Sequence, residues 1–317
     1  MIDIYKKIDG QIEKVDNPEQ DCWINIYPPF NHKNLEDICS KLDVPIDFLQ
    51  DSLDIDERSR FEVEDDVKLI VLNTPIINES ELEEGNEAIY ITIPVAIILP
   101  KNMILTISSF ENPVIESFLN KRVKNFDPTN RSHFILQIFD RSVYYFLHYL
   151  KQINNRRHII EEELITSSRN KELTQLLTIQ KSLVYFVTTL KSNELVMMKI
   201  HRIDFLGIKE NEDLSDLLED AIIDNSQALE MSNVYTNILN GTMDAFASLI
   251  SNNLNMVMRR LTSVTIVLMV PTLVASFYGM NVDLPMQDKP LAFMFTLMLS
   301  ASLSFLLIWI FMRKHWF

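Results

Sequence analysis

Two uninterrupted apolar runs near the carboxy terminus constrain this chain more than any other feature. Residues 261–277 contain no charged side chain, and neither do residues 291–312, a run of 22. The hydrocarbon core of a bilayer, about 30 Å thick, needs about 20 helical residues with a range of about 17–25, so both runs are long enough to span it. Their succession, each with charge at its flanks, reads as a membrane hairpin rather than a pair of core helices. Arg259 and Arg260 precede the first run and Arg313 and Lys314 follow the second, while residues 278–290 hold one lysine and two aspartates. Basic flanks stay on the cytoplasmic side, which predicts a multi-pass protein of the cell membrane with both termini in the cytoplasm and the short connection outside.

The remainder is acidic. Five basic residues against two acids give +3 from Asn255 onward, so the first 254 residues carry −18 of a total of −15. That balance excludes nucleic acid as a main partner, because affinity for phosphate backbones comes from lysine and arginine. The five glycines, Gly10, Gly85, Gly207, Gly241 and Gly279, are scattered singly, and neither a P-loop nor G-x-G-x-x-G is present. Phosphate-cradling loops need clustered glycines, so nucleotide chemistry is not expected. Cys22 and Cys39 lie outside any C-x-x-C pattern, and the six histidines show no H-E-x-x-H or ligand spacing. Neither a zinc site nor a disulfide framework follows, no catalytic set is recognisable, and a reducing compartment is the simplest setting. Residues 1–14 contain no apolar stretch resembling a signal peptide.

Strand signals concentrate before residue 110. Residues 67–77 and 88–99 are rich in valine and isoleucine, and residues 103–108 follow the turn Pro100-Lys101-Asn102. Leu35, Ile38, Leu42 and Phe48 suit short helices that Asp43 or Asp47 could cap. After Pro113 the apolar residues take helical spacing, first over Phe134, Ile135, Ile138, Phe139, Val143 and Leu150, then over Leu173, Leu176, Leu177 and Leu183 beyond a break near residues 167–170. From Asp213 through Phe277 only Gly241 and Pro271 interrupt a helix that would be about 98 Å long. The map expected is an α/β part over 1–110, a helical part over 111–211, a stalk over 212–260, a first span over 261–278, an outer loop over 279–290, a second span over 291–312 and a basic tail over 313–317. An isolated chain stabilises so long a helix poorly, whereas packing against copies of itself would support it.

The first span carries a pattern of its own. Asn255, Met258, Thr262, Thr265, Met269, Thr272 and Ser276 recur at intervals of three and four, placing small polar and methionine side chains along one helix face. Threonine and serine in a membrane helix ordinarily bond to their own helix carbonyls or pack on neighbours. Seven positions in register point instead to a ring of helices around a wet axis. The stripe contains no carboxylate, so an ion would not be stripped of its water there.

Tyr278-Gly279-Met280-Asn281 closes this span, and here the chain resembles the CorA family of magnesium transporters, whose signature Gly-Met-Asn directly follows the first of two carboxy-terminal membrane helices. Residues 51–62, Asp-Ser-Leu-Asp-Ile-Asp-Glu-Arg-Ser-Arg-Phe-Glu, are similar to the family's amino-domain motif. Residues 251–259 are similar to its inner pore entrance, and the basic ending fits as well. The resemblance implies an α+β cytoplasmic domain with a long stalk helix and two carboxy-terminal transmembrane helices, assembled as a funnel-shaped homopentamer. By position it implies a pore face of Asn255, Met258, Leu261, Thr265, Met269, Thr272, Ser276 and Asn281, with Gly279, Met280 and Asn281 at the selective outer mouth. The loop departs from the family's usual Met-Pro-Glu-Leu-like sequence, keeping acidity through Asp283 and Asp288, which could concentrate cations outside. Val270 stands between the pore methionine and Pro271, and Ser276 replaces a common glycine.

The transport implied is potential-driven influx of hydrated Mg2+, with Co2+ and Ni2+ as further ions, gated from inside by divalent cations. Divalent ions, the bilayer and further copies of the chain are the partners expected, and Mg2+ itself, transported and regulatory, replaces any cofactor. Met258 and Leu261 would form an apolar constriction, and Asp220 matches a sensing aspartate by position, with Glu81, Glu83, Glu84 or Glu87 as partners by charge alone. Two alternatives stay open: zinc transport as in the related ZntB branch, which usually varies the methionine of Gly-Met-Asn, and a membrane-tethered scaffold without flux.

Overall fold

The structure, a computed structural model, describes residues 1–79, 87–167, 170–205, 207–282, 284–285 and 290–314. Glu81, Glu83, Glu84, Asp283 and Asp288 lie outside the described residues. Two compact units divide the chain, Met1–Asn240 and Gly241–Phe317.

In the first unit, β1 (Ile2–Ile8), β2 (Gln11–Val15), β3 (Trp23–Ile26), β4 (Arg60–Glu64), β5 (Val67–Ile77), β6 (Tyr90–Leu99) and β7 (Ile104–Ser108) form one sheet in the order β2-β1-β3-β7-β6-β5-β4. Every neighbouring pair is antiparallel except β3 and β7, which run parallel. The central strands read as continuous apolar runs because both faces of the sheet are covered. Alternate residues of β5 and β6 point to opposite sides. Ile70, Leu72, Val95 and Ile97 meet Trp23, Phe134 and Phe139 on one face, while Leu69, Val71, Ala96 and Ile98 meet Cys39 and Phe48 on the other.

The second of these faces is closed by α1 (His32–Leu42) and α2 (Ile46–Asp51). Asn31 caps α1 by accepting from the Lys33 amide. Of the two expected caps, Asp47 lies within the first turn of α2 without capping it, and Asp43 does not cap its start. It ends α1 in the left-handed conformation at φ 61°, its amide bonded to the Cys39 carbonyl, and Pro45 occupies the α2 cap position. A short polar side chain tolerates that conformation, and the following turn leaves no room for a second role. On the opposite face lie α3 (Pro113–Leu119), α4 (Arg131–Ser167) and α5 (Asn170–Ile203), with α6 beginning at Glu212.

A buried amide joins α5 to the sheet. Strand β4 stops at Arg60, opposite Val71, so the outer edge of β5 lacks a strand partner at Asn73. Asn193 takes that place: its Nδ2 donates to the Asn73 carbonyl at 2.8 Å, and its Oδ1 accepts from the Asn73 amide at 3.2 Å and from Ser59 Oγ at 2.6 Å. Asn193→Ala is therefore expected to destabilise the protein by about 1–3 kcal/mol, since it orphans the buried Asn73 carbonyl while the Asn73 amide keeps Ser59 Oγ at 3.2 Å. Thermal unfolding of the detergent-solubilised chain checks this, and an unchanged midpoint would assign the contact no energetic role.

Helix α6 runs without interruption through Glu212–Tyr278, 67 residues. Within the first unit Leu214, Leu218, Ala221, Asn225, Ala228, Ser232 and Leu239 are buried at heptad spacing, and Asn225 Nδ2 donates to the Leu190 carbonyl of α5 at 2.9 Å. The second unit contains the rest of α6 and α7 (Ala292–Arg313). Both helices are long and apolar enough to cross a membrane. Pro271 lies inside α6 without ending it, although its missing amide leaves the Val267 carbonyl without the usual helical donor.

Candidate ion pathway and its outer mouth

The membrane part of α6 has two chemically different faces. Ser263 and Val274 are buried and Ile266, Val267 and Val270 half-buried. The other described helix of that unit is α7, whose Ala292, Thr296, Ser300 and Ser304 are half-buried at four-residue spacing. Small side chains at this spacing let two membrane helices approach closely. At about 100° per residue, Met258, Leu261, Thr265, Met269, Thr272 and Ser276 centre roughly 150–160° away from the packed face. All six are exposed, as is Asn255 one turn further in.

Two threonines of this stripe have a fixed hydrogen-bond polarity. Thr265 Oγ1 donates to the Leu261 carbonyl at 2.8 Å, and Thr272 Oγ1 to the Met269 carbonyl at 2.7 Å. The ordinary role of hydroxyls in membrane helices is thus observed at both positions. Each hydroxyl has one hydrogen, so what it offers away from the helix is lone pairs. Water in a cation's hydration shell turns its hydrogens outward, and such a face accepts them.

Gly279 ends the helix. Its amide donates to the Ala275 carbonyl at 2.9 Å, and a Cβ there would stand 3.3 Å from that same oxygen, tighter than side chains ordinarily tolerate. Met280 and Asn281 follow, both exposed. Tyr278 Oη donates to the Pro285 carbonyl at 3.3 Å, which ties the loop back to the last helical turn.

Asp220 is exposed on α6 in the first unit. Its electrostatic neighbour there is a residue that sequence reasoning missed. The carboxyl of Asp140, on α4, is pushed above the usual carboxylate range by burial and further by Asp224 and Asp220, against the lowering effect of Arg141. Arg141 Nε stands 3.8 Å from Asp140 Oδ2, and its guanidinium lies over the Tyr144 ring at 5.3 Å. A signal existed, since Asp140 is the only acid between Asp127 and Glu161. Among the described residues, no three His, Cys, Asp or Glu side chains are gathered closely enough to hold a metal ion. Glu87 pairs with Lys181 at 3.3 Å.

An α+β unit and a pair of membrane-length helices closing on Gly-Met-Asn define a two-span membrane transporter class. The family model described as "CorA-like Mg2+ transporter protein" matches residues 18–314, and the chain belongs to this family of divalent-cation transporters. It is 27% identical over 307 residues to the cobalt/magnesium transport protein CorA of Methanocaldococcus jannaschii, covering 93% of this chain and 90% of that one. The complete structure of the M. jannaschii CorA magnesium transporter superposes with a TM-score of 0.84 at 23% identity, covering 100% of this chain and 99% of that chain. The cytoplasmic domain of ZntB from Vibrio parahaemolyticus is similar in fold at 12% identity, with a TM-score of 0.60 over 79% of this chain and 98% of that one.

Proposed function

We propose that five copies of this chain form a channel for hydrated Mg2+, with both termini in the cytoplasm and the stripe of α6 lining the axis. The observation that carries the reading is the position of the stripe on the far side of α6 from its buried face of Ser263, Ile266, Val267, Val270 and Val274, ending at Asn281. Mg2+ gives up its octahedral water shell reluctantly, so a site selecting the hydrated ion needs neutral acceptors around a wide mouth. A ring of Asn281 amide oxygens meets that need, and the back-bonded threonines continue it inward. The membrane potential drives entry with about 4.6 kcal/mol per 100 mV for a divalent ion. Asp283 and Asp288 would raise the local cation concentration at the mouth. Uptake into proteoliposomes of Mg2+, Co2+, Ni2+ and Zn2+, each under an imposed potential, tests the reading. Preferred Zn2+ uptake would replace magnesium as cargo, and potential-independent retention of every ion outside would leave a scaffold.

Regulation follows from the acids of the first unit. The half-buried Asp140, repelled by Asp224 and Asp220, and with it Asp220 are relieved when a divalent cation lies among subunits, and this favours the closed arrangement. Reciprocity then requires the closed state to bind the cation more tightly than the open one. Asp220→Ala is expected to raise the internal Mg2+ that half-closes the channel by several-fold. The sign of the pH effect is also set: the raised pKa of Asp140 means that protons compete with the cation as pH falls through that raised value, so the half-closing concentration rises on acidification. Flux against internal Mg2+ measures both, and unchanged midpoints would make Asp220 a solvated stalk residue.

A further inference from the structure

The inner ends of the two apolar helices carry a positive charge that the rest of their unit does not balance. Arg259 and Arg260 on α6 and Arg313 and Lys314 at the end of α7 are exposed, and none forms an ion pair with a described residue. The nearest acid preceding them on α6 is Asp244, about 22 Å away along the helix at about 1.5 Å per residue. Counted from the outer connection, Arg260 lies about 27 Å down α6 and Arg313 about 32 Å along α7, which sets all four at one hydrocarbon thickness from the outer mouth.

Their directions matter as much as their level. About Ser263 at the packed face, Arg259 and Arg260 fall roughly 40° to one side and 60° to the other, away from the stripe of Met258 and Leu261. On α7, Trp309 and Arg313 lie on the side opposite the half-buried Thr296, Ser300 and Ser304. The Arg313 guanidinium is 5.5 Å from the centroid of the Trp309 ring. Stacking engages the face of the guanidinium and leaves its in-plane N–H donors free, in the fork that matches two oxygens of a phosphate. Tryptophan at this depth marks the interface between hydrocarbon and headgroups.

We propose that this basic collar binds the phosphate of anionic phospholipid headgroups in the inner leaflet, with Arg313 stacked on Trp309 as its anchor and Arg259, Arg260 and Lys314 adding charge at the same level. The proposal rests on the reading that both helices span a bilayer. Anionic lipid supplies the counter-charge that the protein lacks there, and its contribution is sequence-readable as about fivefold per basic residue near the surface. Because the two arginines of α6 face away from the stripe, the collar serves the lipid boundary rather than the ion path.

The test uses the full chain carrying Trp316→Phe, so that Trp309 reports from the membrane and Trp23 stays as a constant core signal. Proteoliposomes contain either brominated phosphatidylglycerol or brominated phosphatidylcholine at equal mole fraction. The expected result is stronger quenching of Trp309 by the brominated phosphatidylglycerol, an apparent preference of at least about threefold. Replacing Arg259, Arg260, Arg313 and Lys314 by glutamine should abolish the preference while quenching by phosphatidylcholine remains, and Arg313→Lys should keep part of it. Equal quenching by both lipids in the parent chain, or an undiminished preference in the glutamine variant, would overturn the site. So would loss of the preference on adding inorganic phosphate, which would mark a site for free anions. Absence of quenching by either lipid would remove Trp309 from the bilayer, and with it the membrane reading on which the site depends.

Discussion

Asn281→Ala is expected to lower Mg2+ uptake at least about a hundredfold while leaving assembly intact. In the proposed pentamer one substitution removes five amide oxygens that face the hydration shell of the same ion. A hydrogen bond to a neutral acceptor is worth about 1 kcal/mol net, so losing three of the ring's five acceptors already exceeds the roughly 2.7 kcal/mol that corresponds to about a hundredfold. Alanine also leaves no structural debt, because Asn281 is exposed beyond the last turn of α6, whose end is held by the Gly279 amide and by the Tyr278 hydroxyl. Asn281→Gln keeps the chemistry but displaces the oxygen by one methylene, and should retain part of the flux. Uptake at the parental rate in an alanine variant of normal oligomeric size would take Asn281 out of the selectivity role, whatever its place in the family signature.

What could be read from the residues, and what could not, divides along the range of the interactions. Residues 67–77 appear as β5 over the same span, and the runs after them as β6 and β7, because β-branched residues and a Pro-Lys-Asn turn are local signals. Helix α6 was legible for the same reason, since few breakers fall between residues 212 and 278. The edge strands β2 and β4, Gln-Ile-Glu-Lys-Val and Arg-Phe-Glu-Val-Glu, carry too little apolar contrast to announce themselves. The parallel pairing of β3 with β7 joins residues some 80 positions apart, and no local pattern encodes it.

The candidate site shows the same division. The polar stripe was visible because a helix repeats itself every seven residues, and its position opposite the buried face of α6 became visible only with the fold. Asp140 was missed because it sits within a run whose apolar neighbours dominate the pattern, and its meaning comes from the approach of Asp220 and Asp224 on another helix. Asn193 is similar: inside α5 it reads as one polar residue among many, yet it completes the edge of a strand.

Met258→Asp should raise ion leak at high internal Mg2+ by at least about tenfold, the second large effect expected. Met258 and Leu261 stand at the inner end of the stripe and are both exposed on the far side of α6 from the packed face. Five copies of each around a narrow axis make two apolar rings, and a constriction of that kind closes by excluding water rather than by filling the space with atoms. An ionised carboxylate cannot be held dry, since its transfer to an apolar environment costs far more than the closure gains. A ring of five aspartates therefore keeps its water, and the same charges attract cations into the opening. The control is Met256→Asp, two residues earlier and facing roughly 160° away, where an equal charge enters at the same depth without reaching the axis. If Met256→Asp leaks as strongly as Met258→Asp, the charge acts by disturbing the membrane boundary and not the constriction. If neither leaks, water is already present at Met258 in the closed state and the barrier stands at another ring of the stripe. Leak confined to Met258→Asp, with the Mg2+ dependence of the remaining flux flattened, is the result that an apolar gate requires.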